Sequence, residues 1–239
     1  MISMRLLVLA VLTFFSFLPQ DGVVVNPKMV KVEFENDRVR ILRVHFASYE
    51  RLDMHSHPAL IVVALTPNSR RAFLPDGSHQ DLTGKAGDVA WREPLAHAVE
   101  NLGREPIENI EIEFKNATSP AILVTPAASS HISSAPPDVV PVEQEGHHHV
   151  LFENQYARVL DVRIPAGETT LFHTHAHDNI SIRITGGQIQ TQFKDKEWQP
   201  TTVKPGAVVF SNGSKNLYTH RIQNLGTSMY QVVDVELLP

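Results

Sequence analysis

A chain of 239 residues is long enough for one large domain or two small ones, and its content of 42% hydrophobic and 20% charged residues is that of an ordinary globular protein. The formal net charge of -5, with no cluster of Lys and Arg, argues against nucleic acid as the main partner. No cysteine is present, which excludes disulfides, thiolate metal sites and a cysteine nucleophile; 13 histidines, by contrast, are many for this length.

The first predicted element is a leader. Arg5 is the only charged side chain in the first 20 residues, and Leu6 to Leu18 is a largely apolar run of 13 residues. A short charged start before a run of this length reads as a secretory signal, and the run is shorter than the ~20 residues of a membrane span. Export to the periplasm or the exterior is therefore expected. No A-x-A tripeptide follows, so residues 1–20 are read as a signal peptide or an uncleaved anchor, the second being the one route to membrane contact.

From residue 21 the pattern is that of short strands. Leu42, Val44 and Phe46 alternate with Arg43 and His45, and Ile110, Ile112 and Phe114 alternate with Glu111 and Glu113. Pro75-Asp76-Gly77 and Gly87 punctuate them. A stretch over residues 117–146, rich in Pro, Ser and Ala, reads as a linker, and His147-His148-His149 after it as a solvated loop. Strands then resume: Leu160, Val162 and Ile164 alternate with Asp161 and Arg163, and Val233, Val235 and Leu237 with Asp234 and Glu236. No stretch beyond the leader carries a helical stripe, so an all-β barrel or sandwich is expected.

The chain also repeats itself. At an offset of 118, Phe34-Glu35-Asn36 aligns with Phe152-Glu153-Asn154, and the ungapped match continues through His55 and His57 onto His173 and His175. That gives nine identities in 24 positions, where chance gives roughly one or two. Further on the offset drifts to 123, and His97 to Gly103 aligns with His220 to Gly226. Two domains are expected, over residues 21–116 and 147–239.

Histidines two apart on a strand point to one face, so His55 and His57, or His173 and His175, can grip one ion. His97 and His220, at matching places in the two copies, are the natural third ligands. Three neutral nitrogens leave coordination positions open for water or substrate.

At these residues the chain resembles the cupin superfamily. Gly167 through His173 and His175 follows the family's first motif, and Gly87 to His97 and Asn101, with Gly206 to His220 and Asn224, follows its second. The resemblance covers both copies and implies a bicupin: two tandem cupin jelly-roll barrels (double-stranded β-helices), each with a divalent metal inside. Two departures stand out. The motif glutamate is absent, its place taken by Asn179 and by Ile61, and Tyr49 replaces the motif glycine in the first copy. Imidazole suits iron, nickel, copper or zinc, and loss of the carboxylate makes manganese less favoured.

Strand parity carried on from His175 places Asn179, Ser181 and Arg183 on the inner wall, against Ile61, Val63 and Leu65 in the first copy. The second copy is therefore expected to be the better site. Arg183 and Tyr218 are the candidate catalytic residues, clamping a carboxylate or enolate and donating a proton, with Asn179, Ser181 and Gln190 binding substrate. Ile180, Ile182 and Ile184 then point outward, against the other half of the chain or a second subunit in a homodimer. Two functions follow: a metal-dependent, oxygenase-type enzyme acting on a small oxygenated substrate, or a non-catalytic module that binds a sugar or small acid.

Overall fold

The computed structural model describes residues 20–118, 120–122, 124 and 138–239; the leader and much of the linker lie outside them. The first half contains β1 (Gln20–Asp21), β2 (Val30–Glu35), β3 (Val39–Phe46), β4 (Arg51–His57), β5 (Leu60–Ala64), β6 (Asn68–Phe73), β7 (His79–Gly84), β8 (Val89–Arg92), β9 (Leu95–Asn101) and β10 (Ile107–Phe114). The second contains β11 (Val139–Pro141), β12 (His148–Glu153), β13 (Ala157–Ile164), β14 (Phe172–His175), β15 (Asp178–Arg183), β16 (Gly187–Phe193), β17 (Gln199–Val203), β18 (Val208–Ser211), β19 (Tyr218–Asn224) and β20 (Tyr230–Leu237). Helix among the described residues is confined to Gly22–Val25 and a 3-10 turn at Val142–Gln144.

Each half folds as two five-stranded sheets. In the first half their orders are β1-β4-β9-β6-β7 and β2-β3-β10-β5-β8. Adding ten to each strand number gives the orders of the second half, so the sequence repeat is a repeat of topology. β11 and the 3-10 turn come from the stretch read as linker and are built into the second barrel, where β11 runs parallel to β14.

The repeated sequence identities have mechanical roles. Asn36 Oδ1 accepts hydrogen bonds from the backbone N–H groups of Arg38 and Val39, and Asn154 Oδ1 does the same for Tyr156 and Ala157. These turns close the hairpins β2–β3 and β12–β13. Asn224 is buried and donates to the carbonyls of Ile164 and Ser228 while accepting from Gly226 N. Asn101 makes the matching set with Ala47, Glu105 and Gly103. Asn224→Ala orphans these groups and is expected to cost about 2–4 kcal/mol in a denaturant melt, with metal content unchanged.

Gly167, with φ 81, is in the left-handed region, and Tyr49 at the same place in the first copy is held there too, with φ 58. A Cβ is disfavoured in that conformation. Tyr49→Gly is therefore expected to raise stability by roughly 1 kcal/mol, read as an upward shift in melting temperature.

Three hydrophobic clusters result. Two fill the barrels: Leu42, Val44, Phe46 and Leu52 in the first, and Leu160, Val162, Ile164 and Ile189 in the second. The third joins the halves. Ile61, Val63, Trp91, Ile110 and Ile112 pack with Ile180, Ile182, Ile184, Val233 and Val235. The outward isoleucines thus find their cover within the same chain.

This shared core corrects the expected inner wall of the first barrel. Ile61 pairs with Trp91 and Ile112, as Ile180 pairs with Phe210 and Val235, so Ile61 corresponds to Ile180 rather than to Asn179. The second copy has one extra residue between the His-x-His pair and the next strand. A one-residue slip turns every side chain of a strand to the other face. The inner positions of β5 are Leu60 and Val62; Ile61 and Val63 face the other half, and Leu65 packs against the same joint cluster.

Candidate metal centres

In the first barrel β4 and β9 lie side by side, and His55 is registered opposite His97. The rings of His55, His57 and His97 have centroids 4.7, 4.8 and 5.4 Å apart, and one ligand nitrogen from each falls within 4.8 Å of the others. His55 Nδ1 lies 2.6 Å from the Asp53 carbonyl, and His57 Nδ1 lies 2.9 Å from Glu113 Oε1. Donation of both Nδ1 protons leaves each Nε2 with its lone pair free. Glu113 is held in turn by Arg40 at 2.6 Å, which orients the ligand through a carboxylate.

The alternation on β10 places its carboxylates inside the barrel and its isoleucines outside. Glu111 is buried, with Oε2 3.8 Å from His57 Nε2. It places a carboxylate beside the triad, on a different strand from the expected motif position. Burial pushes its carboxyl upward from the ordinary range. Burial acts to lower His57, but Glu111 and Glu113 together hold it above its ordinary value. Burial, then the neighbouring His55 and His57, press His97 down to about 3.

The triad opens onto a cavity of about 190 Å³. Its wall is mostly apolar, with Val44, Phe46, Leu52, Leu60 and Val62 among the lining residues, and Arg70 and Arg92 also face it. The first barrel's cavity is therefore lined by a half-buried cation, Arg70, and an exposed one, Arg92, where an apolar lining was expected. Neither guanidinium makes an ion pair among the described residues; Arg70 hydrogen-bonds Asn68 and feels the charge of Glu111. His57 Nε2, Asn109 Oδ1 and Glu111 Oε2, all from residues lining this cavity, have no hydrogen-bond partner among the described residues.

In the second barrel His173 is registered opposite His220, and His220 Nε2 lies 3.2 Å from His175 Nε2. Two nitrogens bound to one ion at ~2.0–2.2 Å sit roughly 2.8–3.6 Å apart, so this spacing fits a shared metal. His173 Nδ1 is 3.0 Å from the Leu171 carbonyl, repeating the arrangement of His55. Burial, reinforced by the other imidazoles, depresses His173 and His220, and burial brings His175 to about 4. The rings are neutral at physiological pH, as ligands must be.

His148 joins this group, with its ring 4.5 Å from that of His173. The His147-His148-His149 run is thus no solvated loop. His148 is buried, His147 bridges Glu145 and Glu168, and His149 alone is exposed.

Of the other expected site residues, Tyr218 stacks on His175 at 4.9 Å, and its hydroxyl donates to Asn179 Oδ1 at 3.0 Å. Burial pushes that hydroxyl upward in pKa. Asn179 Nδ2 donates to Ser181 Oγ, and Arg183 helps depress His220 without forming an ion pair among the described residues. Gln190 does not join them. Ile189 fills the interior, so Gln190 faces outward, where it bonds Gln223; Phe193, on the face of β16 that carries Ile189, lies 5.8 Å from the His220 ring but is itself exposed. Asp234, the counterpart of Glu111, is buried inside the barrel.

A scan against protein-family models returns no match, nor does a search of curated protein sequences. Solved structures do match. AerE from Microcystis aeruginosa superposes with a TM-score of 0.59 at 12% identity, over 88% of this chain and 98% of that one. Oxalate decarboxylase from Lactobacillus farciminis, solved as a formate complex, gives 0.55 at 14% identity over 85% and 78% of the two chains. Salicylate 1,2-dioxygenase from Pseudoaminobacter salicylatoxidans, solved with gentisate, gives 0.52 at 10% identity over 83% and 68%. At these identities the likeness is one of fold.

Proposed function

The chain is a two-domain cupin in fold, and on that fold we propose that the first barrel is the working site of a metal-dependent enzyme acting on a small carboxylate. The observation that carries this reading is the cavity where the His55, His57 and His97 triad meets Arg70 and Arg92. Those three imidazoles would hold a divalent ion, with the Glu111 carboxylate beside them. When bound, the ion supplies Lewis-acid or redox chemistry at its open positions. Iron, nickel, copper and zinc suit the imidazoles, and Glu111 removes the argument against manganese.

The protein's own part is binding and positioning. Arg70 and Arg92 offer planar forks of donors for a carboxylate. Phe46, Leu52, Leu60 and Val62 pack against the body of the ligand and exclude water. Glu113, fixed by Arg40, holds the His57 ring with Nε2 toward the cavity.

The test is metal analysis of untagged protein after anaerobic reconstitution, followed by a screen of small carboxylates for oxygen uptake and product formation. Arg70→Ala is expected to weaken binding of the active carboxylate about 10- to 100-fold, with metal content unchanged. Carboxylate binding without turnover, under every metal tried, would turn the reading to a non-catalytic binding module.

Export is proposed as well, supported by the apolar run after Arg5. Full-length chain found soluble in the cytoplasm of its native host would count against it.

A further inference from the structure

Residues 20–26 lie against the first triad from outside the barrel wall, and three of their side chains or Cα positions bear on it. β1 runs parallel to β4, with Gln20 registered on His55 and Asp21 on Ser56. β4 steps out of register with β9 between Leu52 and His55, so the peptide leading into the His-x-His pair needs other partners. Asn26, buried where the short helix ends, supplies them. Asp53 N donates to Asn26 Oδ1 at 2.9 Å, and Asn26 Nδ2 donates to the Asp53 carbonyl at 3.4 Å. That same carbonyl accepts from His55 Nδ1 at 2.6 Å, so Asn26 fixes the group that orients His55. Gly22 is buried against the ring itself: a Cβ there would stand 3.1 Å from His55 Cδ2. Asp21 reaches the other ligand of the pair. Its Oδ1 caps the helix, accepting from Val23 N at 2.8 Å, and its Oδ2 accepts from Arg40 at 2.5 Å. Arg40 holds Glu113, and Glu113 accepts from His57 Nδ1.

The second barrel repeats the device from the stretch that reads as linker. Val140 of β11 is registered on His173. Leu171 N donates to Glu145 Oε1 at 3.0 Å, and the Leu171 carbonyl lies 3.0 Å from His173 Nδ1, so Glu145 stands where Asn26 does. Glu143 lies 3.5 Å from Arg158, which holds Glu236, as Asp21 holds Arg40 and Glu113. There the relay stops short: His175 Nδ1 has no hydrogen-bond partner among the described residues. Only the first barrel has both histidines of the pair tied to its strap. Groups behind a ligating imidazole set its tautomer and direction. We propose that residues 20–26 form a strap that positions the first triad, with Asn26 and Gly22 setting His55 and with Asp21 setting His57 through Arg40 and Glu113. The effect on metal rests on the reading of that triad as a metal site; the positioning of the two rings does not.

The test uses the full chain carrying His173→Ala and His175→Ala, so that Co(II) reports on the first triad, and reads both cobalt affinity and the imidazole Nδ1–H signals of metal-free, 15N-histidine-labelled protein. Asn26→Leu, which removes both bonds to Asp53 at nearly constant shape, and Gly22→Val, which crowds the His55 ring, should each weaken cobalt binding about 10- to 100-fold. Asn26→Asp keeps the acceptor for Asp53 N and should recover most of the loss. Asp21→Asn keeps the helix cap and should weaken binding about 10-fold. In the metal-free protein Asn26→Leu should move the His55 signal, and Asp21→Asn the His57 signal, with faster exchange in each. Asn101→Ala serves as the control, because it orphans a buried set of hydrogen bonds in the same barrel without touching the strap. Strap variants that weaken cobalt no more than Asn101→Ala, with both imidazole signals in place, would overturn the proposal. A parent chain that takes up no cobalt would sink the metal reading instead. The two imidazole signals would then decide the strap alone, and signals unmoved by Asn26→Leu and Asp21→Asn would overturn it.

Discussion

A chain carrying Ile182→Asp is expected to unfold, and both barrels to unfold with it. Ile182 is fully buried on β15, in the cluster that takes side chains from both halves. Ile61, Val63, Ile110 and Ile112 belong to the same cluster, and none of them offers a carboxylate a partner. An unpaired charge in such a place costs several kcal/mol, on the order of the whole stability of a domain. The milder Ile182→Ala, which leaves a cavity, should cost about 2–5 kcal/mol. Calorimetry of the wild type should show one cooperative transition, with Ile182→Ala moving it as a unit. Two separate transitions, only one of them shifted by the substitution, would show that the joint core does not couple the barrels.

The double variant His55→Ala, His57→Ala is expected to lose one of two bound ions and at least ~1,000-fold in turnover. The loss follows from removing two of three imidazole donors, because a metal's contribution to a reaction of this kind is several kcal/mol. The fold should survive, since Glu113 keeps its ion pair with Arg40 at 2.6 Å. Elemental analysis reads the ion count, and product formation from the carboxylate found in the screen reads the turnover. The corresponding pair His173→Ala, His175→Ala should leave turnover nearly unchanged. The reverse pattern, with turnover lost only through the second barrel, would move the working site there.

Much of the fold could be read before any coordinates. Period-two alternation and the offset match rest on short-range patterns, and both carry through to strands such as β3 and β13. The triads were legible for the same reason: His-x-His on a strand fixes a shared face, and the third histidine repeats with its asparagine. Register across the loop after His175 was not legible. One inserted residue there is invisible to alternation within either copy, yet it decides whether Ile61 or Leu60 looks inward. His148 was hidden in a run of three histidines that resembled a loop. Its alignment with Val30, an apolar strand position at the same offset of 118, was the signal that could have found it. The interior carboxylates were hidden because alternation shows two faces without saying which is inside. Glu111 and Glu113 resembled the solvent side of β10, and only packing against the other half shows that the isoleucine face is the outer one.

The joint core also changes what the connection between the halves is for. Strands β5, β8 and β10 meet β15, β18 and β20 through side chains, so the chain that passes from one barrel to the other is not what keeps them together. A protease cut between residues 125 and 137 would turn one polypeptide into two and leave a particle of the same size. The connection's contribution would then be kinetic: it keeps the second half at high local concentration while the first folds.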